Sequence, residues 1–302
     1  MLDWKRPEIG DIEKIRQIVY RTGEKGSDVS AANIFLLREK YNIRIAIKDG
    51  FLFRCYTGNR LPGRNGVAFL VGKGNLEKAV KELEEDRKER GLPVKYIFLT
   101  EQSREWLLKR NPESAFFSED GNADYLYSAE HLGLLSGKKN HKKKNRVQHF
   151  KREYPDFLVR FIKPENFYLF TKDIIAVEEE WFATQEERID SSFVERLEIY
   201  DACKFFKELE LFGAVIYAGE QPVAMSLASE ISQGVYDIHF EKSYGDFAKA
   251  GGFAAINQAF AKYLLERRAA VWINREEDIG LPGLRKAKLS YHPDLMLEKF
   301  HT

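Results

Sequence analysis

The chain has 302 residues, more than a single hydrophobic core usually holds, which points to two domains. Apolar residues make up 44% and charged residues 31%, the balance of an ordinary globular protein and not of a disordered one. Its 48 basic and 47 acidic side chains leave a net charge of +1, so bulk charge names no partner and only local clusters are informative.

In chain order, Ile12, Ile15, Ile18 and Val19 stand at helical spacing in "DIEKIRQIVYRTG", with Gly23 as the stop. "SAANIFLLREKY" reads as a second helix capped by Ser30. Three short strands follow, "IRIAIK", "FLFRCY" and "GVAFLVG", the first two joined by the tight turn Asp49-Gly50. Next come an amphipathic helix capped by Asn75 and ended by Gly91, the buried strand "KYIFLT" and a helix in "EQSREWLLKRN". "SAFFSED" and "ADYLYS" close the half as strands.

The second half repeats the order without repeating the residues. "FLVRFIKP" is a strand, and two helices follow in "NFYLFTKDIIAVEEEWFA" and "SFVERLEIYDACKFFKEL". "LFGAVIYAG", "QPVAMSLASEI" and "GVYDIHFEK" are strands, "GGFAAINQAFAKYLLERRA" a helix, "AVWIN" a strand and "PGLRKAKLS" a short helix or turn. A helix after the third strand that leads to a neighbouring strand fits a crossover connection. The expected architecture is mixed α/β (α+β). Two tandem domains, 1–127 and 157–302, each hold a mixed, mostly antiparallel sheet flanked by helices. A basic helical linker, 128–156, joins them.

Two cysteines, Cys55 and Cys203, make no disulfide framework or Cys/His metal spacing and suit a reducing cytoplasm. The N-terminus lacks a signal-peptide core, and no window approaches 18 apolar residues, so no transmembrane segment is expected.

The linker, "GKKNHKKKNRVQHFKREYP", holds eight Lys or Arg residues. Read as a helix, it gives Val147, Phe150 and Tyr154 a narrow apolar seam over its last turns. Lys138, Lys139, Lys142, Lys143, Lys144 and Arg146 crowd the earlier turns, where they repel one another and gain from an anion. Three anions compete: a tRNA acceptor stem, an anionic membrane surface, and the acids of the protein's own domains. His141 and His149 lack a third ligand at helical spacing, so no metal site is expected.

In "GVYDIHFEK", strand alternation places Asp237, His239 and Glu241 on one face. Three ionisable groups there need water, a ligand or a satisfied hydrogen-bond network. Gly251 and Gly252 precede a helix, either to leave N–H groups for phosphate or simply to permit a turn.

The order of elements in both halves resembles the GNAT acyltransferase fold. "DYLYSAEHLGLLSGKKNHKKKNRVQHFKREYP", "HFEKSYGDFAKAGGFAAINQAF" and "INREEDIGLPGLRKAKLSYHP" resemble the soluble bacterial family related to the C-terminal domain of phosphatidylglycerol lysyltransferase. That family is similar to tandem-GNAT proteins such as the peptidoglycan Fem transferases. The resemblance implies an acyl- or aminoacyl-transferase with acyl-CoA or aminoacyl-tRNA as donor and no tightly bound cofactor. The acceptor would be an amine or hydroxyl on a small molecule or lipid headgroup. It implies a cleft beside "GVYDIHFEK", with Asp237, His239 or Glu241 as base and Tyr291 as the group protonating the leaving atom. Gly251, Gly252, Asn274, Arg275, Arg285 and Lys288 would lie on the donor side, although Glu276, Glu277 and Asp278 offer Arg285, Lys286 and Lys288 structural ion pairs. The alternative is an inactive GNAT-fold module that binds RNA or a small ligand.

Overall fold

Helices α1 (Ile12–Tyr20) and α2 (Ala31–Leu36) open the chain, followed by β1 (Arg44–Lys48), β2 (Phe51–Tyr56) and β3 (Gly66–Gly72). These strands pair antiparallel, and Asp49 and Gly50 both take the positive φ that a two-residue hairpin turn needs. Asn75 accepts from the Lys78 N–H at 3.0 Å and starts α3 (Leu76–Glu89). This helix crosses over to β4 (Tyr96–Ile97), parallel to β3. The computed structural model describes residues 1–58, 64–184 and 190–302, with side chains in the last range from residue 193.

Helix α4 (Glu101–Arg110) leads to β5 (Phe117–Ser118), β6 (Asp124–Ser128), α5 (Ala129–Leu134) and α6 (His141–Glu153). The second half runs β7 (Leu158–Ile162), α7 (Thr171–Ala183), α8 (Asp190–Lys204), β8 (Phe212–Ala218), β9 (Gln221–Ser232) and β10 (Val235–Ser243). It ends with α9 (Gly245–Ala250), α10 (Gly252–Arg268), β11 (Trp272–Asn274), α11 (Pro282–Leu289), β12 (Leu295–Leu297) and β13 (Phe300–His301).

The strands form a four-stranded sheet, β1-β2-β3-β4, and a seven-stranded one, β12-β6-β11-β10-β9-β8-β7. Thus β6, expected to close the first half's sheet, pairs antiparallel with β11 and β12 in the larger one. The chain end reciprocates: β13 pairs with β5, and Phe300 bridges to Leu99. Each half therefore lends a strand to the other.

The cores follow the sheets and not the order of the chain. One core joins Ile12, Ile34 and Ile97 of the first half to Ile174, Met225 and Phe240 of the second. A second lies on the other face of the large sheet, where α5, α6 and α10 bury Leu132, Phe150 and Phe260. Burying such side chains stabilises by roughly 1.5–3 kcal/mol each, and the first core ties the halves together.

Candidate active site: two flanks of a bulged strand

Strand β10 pairs with parallel β11 from Val235–Trp272 to Asp237–Asn274, and there the pairing ends. β10 runs on to Ser243 while β11 stops at Asn274. After Asn274 the chain follows β6 instead, with the Arg275 N–H donating to the Tyr125 carbonyl.

Against β9, Ile238 faces Ala228 and Phe240 faces Leu227, so one residue of β10 is extra. This bulge interrupts alternation. Asp237 and His239 meet Asn33 of α2, whereas Glu241 meets Asn257 of α10 and Arg275 on the opposite flank. The expectation of three titratable groups on one face is corrected: the bulge divides them two and one.

On the inner flank, Ser30 caps α2 and sets Asn33 in its first turn. Asn33 Nδ2 donates to Asp237 Oδ2 at 2.9 Å and to Glu276 Oε1 at 2.8 Å. Its Oδ1 lies 2.8 Å from His239 Nδ1, and Ser229 Oγ lies 2.8 Å from His239 Nε2. Since an amide oxygen only accepts, the proton of the Asn33 contact sits on Nδ1. Burial, then the Glu276 and Asp124 carboxylates, pushes the Asp237 carboxyl well above its usual range. Its Oδ1 has no hydrogen-bond partner among the described residues.

Asp124 next to this cluster accepts from the Ser27 N–H, Asn274 Nδ2 and Lys299 Nζ. Burial lowers the Lys299 pKa, but Asp124, Glu277 and Asp28 outweigh it and hold the ammonium well above its usual range. Arg64 donates to Glu277 at 2.6 Å. A cavity of about 30 Å³ opens beside Asn33, Tyr41, Arg64, Glu276 and Lys299. Asp237, His239 and Glu276 offer possible metal-ligand atoms within 4.8 Å of one another. The Asn33 amide already bridges all three.

The outer flank lies at the gap in pairing where β10 runs on past the end of β11. Arg275 Nη2 donates to Glu241 Oε1 at 2.7 Å, and Asn257 Nδ2 donates to Oε2 at 2.8 Å. The guanidinium carbon sits 4.7 Å from the Tyr291 ring centroid and Lys143 Nζ sits 3.7 Å from it. Arg275 Nη1 and Asn257 Oδ1 are buried without partners among the described residues. Burial raises the Tyr291 phenol above its ordinary pKa, so it stays protonated at neutral pH. Burial, then Arg275, lowers Lys143 to about 8, against an opposing pull from Glu241.

The family model of the phosphatidylglycerol lysyltransferase C-terminal domain matches residues 20–301. The chain belongs to this family. Membership supports a transferase-type function. A conserved protein of unknown function from Bacteroides thetaiotaomicron is 28% identical, with TM-score 0.88 over 100% of this chain and 99% of that one. The C-terminal domain of a protein named as a lysylphosphatidylglycerol synthetase, from Agrobacterium fabrum, is 13% identical with TM-score 0.67, covering 97% of this chain and 91% of that one. A tandem GNAT protein from the clavulanic acid pathway is 7% identical with TM-score 0.49, covering 100% and 98%. No curated protein matches the chain in sequence. Among the described residues no helix is long and apolar enough to cross a membrane.

The remaining predicted residues scatter around this lysyltransferase-family scaffold. Asn274 faces inward, donating to the Lys25 carbonyl and Asp124. Lys288, lowered by burial, donates to the carbonyls of Arg275 and Glu277 and so positions the loop. Arg285 pairs with Asp278 at 2.8 Å, the structural ion pair that sequence order also allowed, and so does not reach the gap. Gly251 and Gly252 are required by close packing. A Cβ on Gly251 would lie 2.5 Å from the Arg146 carbonyl oxygen, and one on Gly252 would lie 2.2 Å from Ser243 Oγ.

Helix α6 covers this turn, with Arg146 and His149 bonded to the carbonyls of Lys249 and Ala250. Lys138, Lys139, Lys142 and Lys144 are exposed. Lys143 is not grouped with them. It continues the inward row of Val147, Phe150 and Tyr154, a spacing of four, three and four that could have flagged it. Asn33, Asn257 and Glu276 gave no comparable local signal, because each acquires its role only across the fold.

Proposed function

We propose that the protein transfers an aminoacyl group from aminoacyl-tRNA to an amine or hydroxyl on a small molecule or lipid headgroup, using the gap between β10 and β11. The carrying observation is the largely buried Arg275 guanidinium, its Nη1 without a hydrogen bond among the described residues, beside a carboxylate and a protonated phenol just past the end of β11. A preorganised cationic donor in a dry site suits the oxyanion of acyl transfer. Glu241 would take the proton of the attacking group, and Tyr291 would return one to the leaving oxygen. Asp237 and His239, on the other flank, would position the acceptor through Asn33 and Glu276.

Aminoacyl-tRNA is favoured over acyl-CoA for two reasons. The glycine turn that would hold a pyrophosphate is packed against α6 and Ser243. The outer face of α6 presents a row of exposed lysines next to the gap, which suits an RNA backbone. Incubation with radiolabelled aminoacyl-tRNA, or with acyl-CoA, and a mixture of amine and phospholipid acceptors tests the reading. Transfer from the tRNA ester, abolished in Arg275→Gln, is expected.

The second reading is an inactive binding module, favoured by the Glu241–Arg275 pair that bridges the gap with the protein's own side chains. Salt-sensitive RNA binding with no transfer to any acceptor would select it.

A further inference from the structure

The inner flank of β10 is short of positive charge. Three buried cations around it each hold an acid: Arg54 pairs with Asp28 at 2.7 Å, Arg64 with Glu277 at 2.6 Å, and Lys299 bonds Asp124. Lys288 is bonded to the backbone carbonyls of Arg275 and Glu277. Two carboxylates, Asp237 and Glu276, are left with no Lys or Arg in ion-pair range among the described residues. Only the His239 imidazole comes near them, its Nδ1 3.6 Å from Asp237 Oδ2 and 3.8 Å from Glu276 Oε1. The Asn33 amide donates to both, but its Nδ2 has two hydrogens and three acceptors, the third being the Ser27 carbonyl at 3.3 Å. Asp237 is fully buried, and its Oδ1 has no partner among the described residues. Buried carboxylates are ordinarily paired or coordinate a metal.

We infer that Asp237, His239 and Glu276 form a binding site for one first-row divalent cation of the Zn²⁺ or Mn²⁺ class. Their ligand atoms already converge within 4.8 Å of one another. One imidazole and two carboxylates, with a position left for water, suit such ions. Two positive charges match the two carboxylates that lack a counter-charge. The cation replaces the Asn33 NH₂ group, which now meets the same two carboxylates through hydrogen bonds. His239 ligates through Nδ1 once its proton moves to Nε2, which lies 2.8 Å from Ser229 Oγ, a hydroxyl able to accept it. A ligating imidazole ordinarily donates through its other nitrogen in this way. The cavity of about 30 Å³ touches the cluster at Asn33 and Glu276 and has room for a water on the ion. Asp237 and His239 belong to β10, Glu276 to the loop after β11, and Asn33 to α2, so the ion sits where the two halves of the chain meet.

The site does not depend on the transferase reading, and its test needs no turnover. The full chain is stripped with a chelator and titrated with Zn²⁺ by isothermal calorimetry. One equivalent should bind, and the bound ion should raise Tm. Asp237→Asn and Glu276→Gln keep the volume and each remove one charge, so each should weaken binding roughly a hundredfold. Failure of the wild-type chain to bind one equivalent, or an affinity unchanged in both variants, would overturn the inference.

A second measurement uses the wild-type chain alone and so decides even if a variant does not fold. The six histidines are labelled with ¹⁵N and their ring signals followed by NMR. Trace Mn²⁺ should broaden the His239 ring first and leave the exposed His141 and His149 of α6 sharp at the same concentration. With one equivalent of Zn²⁺, His239 should carry its proton on Nε2 and none on Nδ1. Broadening of His141 or His149 ahead of His239 would place the ion on α6 and reject the site, as would a His239 ring still protonated on Nδ1 in the presence of bound Zn²⁺.

Discussion

The two flanks of β10 carry the same kinds of groups and treat them differently. On the inner flank, one amide, Asn33, satisfies a carboxylate, a second carboxylate and an imidazole together, and Ser229 closes the chain. On the outer flank, Glu241 is doubly bonded, yet an Arg275 N–H and an Asn257 oxygen are left over. Each network leaves a buried oxygen without a partner among the described residues, Asp237 Oδ1 on the inner flank and Asn257 Oδ1 on the outer, and the outer one adds an Arg275 N–H beside a carboxylate and a phenol. A single extra residue in the strand separates these roles.

That contrast makes the largest prediction. Asn33→Ala strips partners from two buried groups and the half-buried Glu276 at once and should cost about 3 kcal/mol in urea denaturation, with activity lost only as the fold is lost. Glu241→Gln keeps the volume and one acceptor and should cost less than about 1.5 kcal/mol while removing transfer. If Glu241→Gln proved the more destabilising of the two, the division of labour between the flanks would be wrong.

Gly251→Ala probes the outer flank from behind. The new Cβ meets the Arg146 carbonyl oxygen at 2.5 Å, at a residue with φ +114°. Strain and displacement of α6 together should cost about 2 kcal/mol, read as a lower Tm. Because α6 packs on this turn through Arg146 and His149, the inner flank should be untouched.

Acidity sharpens the contrast further. Beyond the bulge, Lys242 returns to the inner flank, and Glu178 of α7 lies 4.0 Å from it, raised by burial to about 7. Asp237 is also raised by burial and by neighbouring carboxylates. A raised carboxyl means the native state holds its proton more tightly than the unfolded chain. Stability is therefore greatest below the unfolded value, near 4.5 for Glu178, and falls as pH climbs towards 7. Glu178→Gln should flatten that decline and stabilise by about 1 kcal/mol at pH 8, less than the full shift because the new amide is also buried. A variant with the same pH slope as wild type would show that Glu178 does not carry the effect.

Much of this was legible in the sequence, and what was missing has a physical pattern. Periodicity located the helices around Ile12 and Val147, the Asp49-Gly50 hairpin, and the crossover that sets β11 beside β10. The resemblance, and not periodicity, marked Arg275 and Tyr291, which do meet. Alternation failed at His239, because a bulge leaves no trace in a residue pattern that assumes a period of two. The placement of β6 failed for another reason: strand propensity says that Asp124–Ser128 is extended but not which sheet it joins. Arg285 illustrates a choice of partners: the sequence supplied Asp278 as readily as a phosphate, and the nearer acid wins.

The smallest effect is expected where the sequence signal was loudest. Lys142 and Lys144 are exposed, with no acid within ion-pair range among the described residues, so changing both to Gln should move stability by less than about 0.5 kcal/mol. If the outer face of α6 meets RNA, the same double change should weaken tRNA binding and reduce the dependence of log affinity on log salt by roughly one to two. Lys143→Gln should behave differently, since its amine points at Tyr291: RNA affinity should be nearly kept. Equal losses of RNA affinity from all three lysines would mean that Lys143 swings outward in solution. The helix would then be a uniform basic surface, without the inward and outward faces on which the outer flank depends.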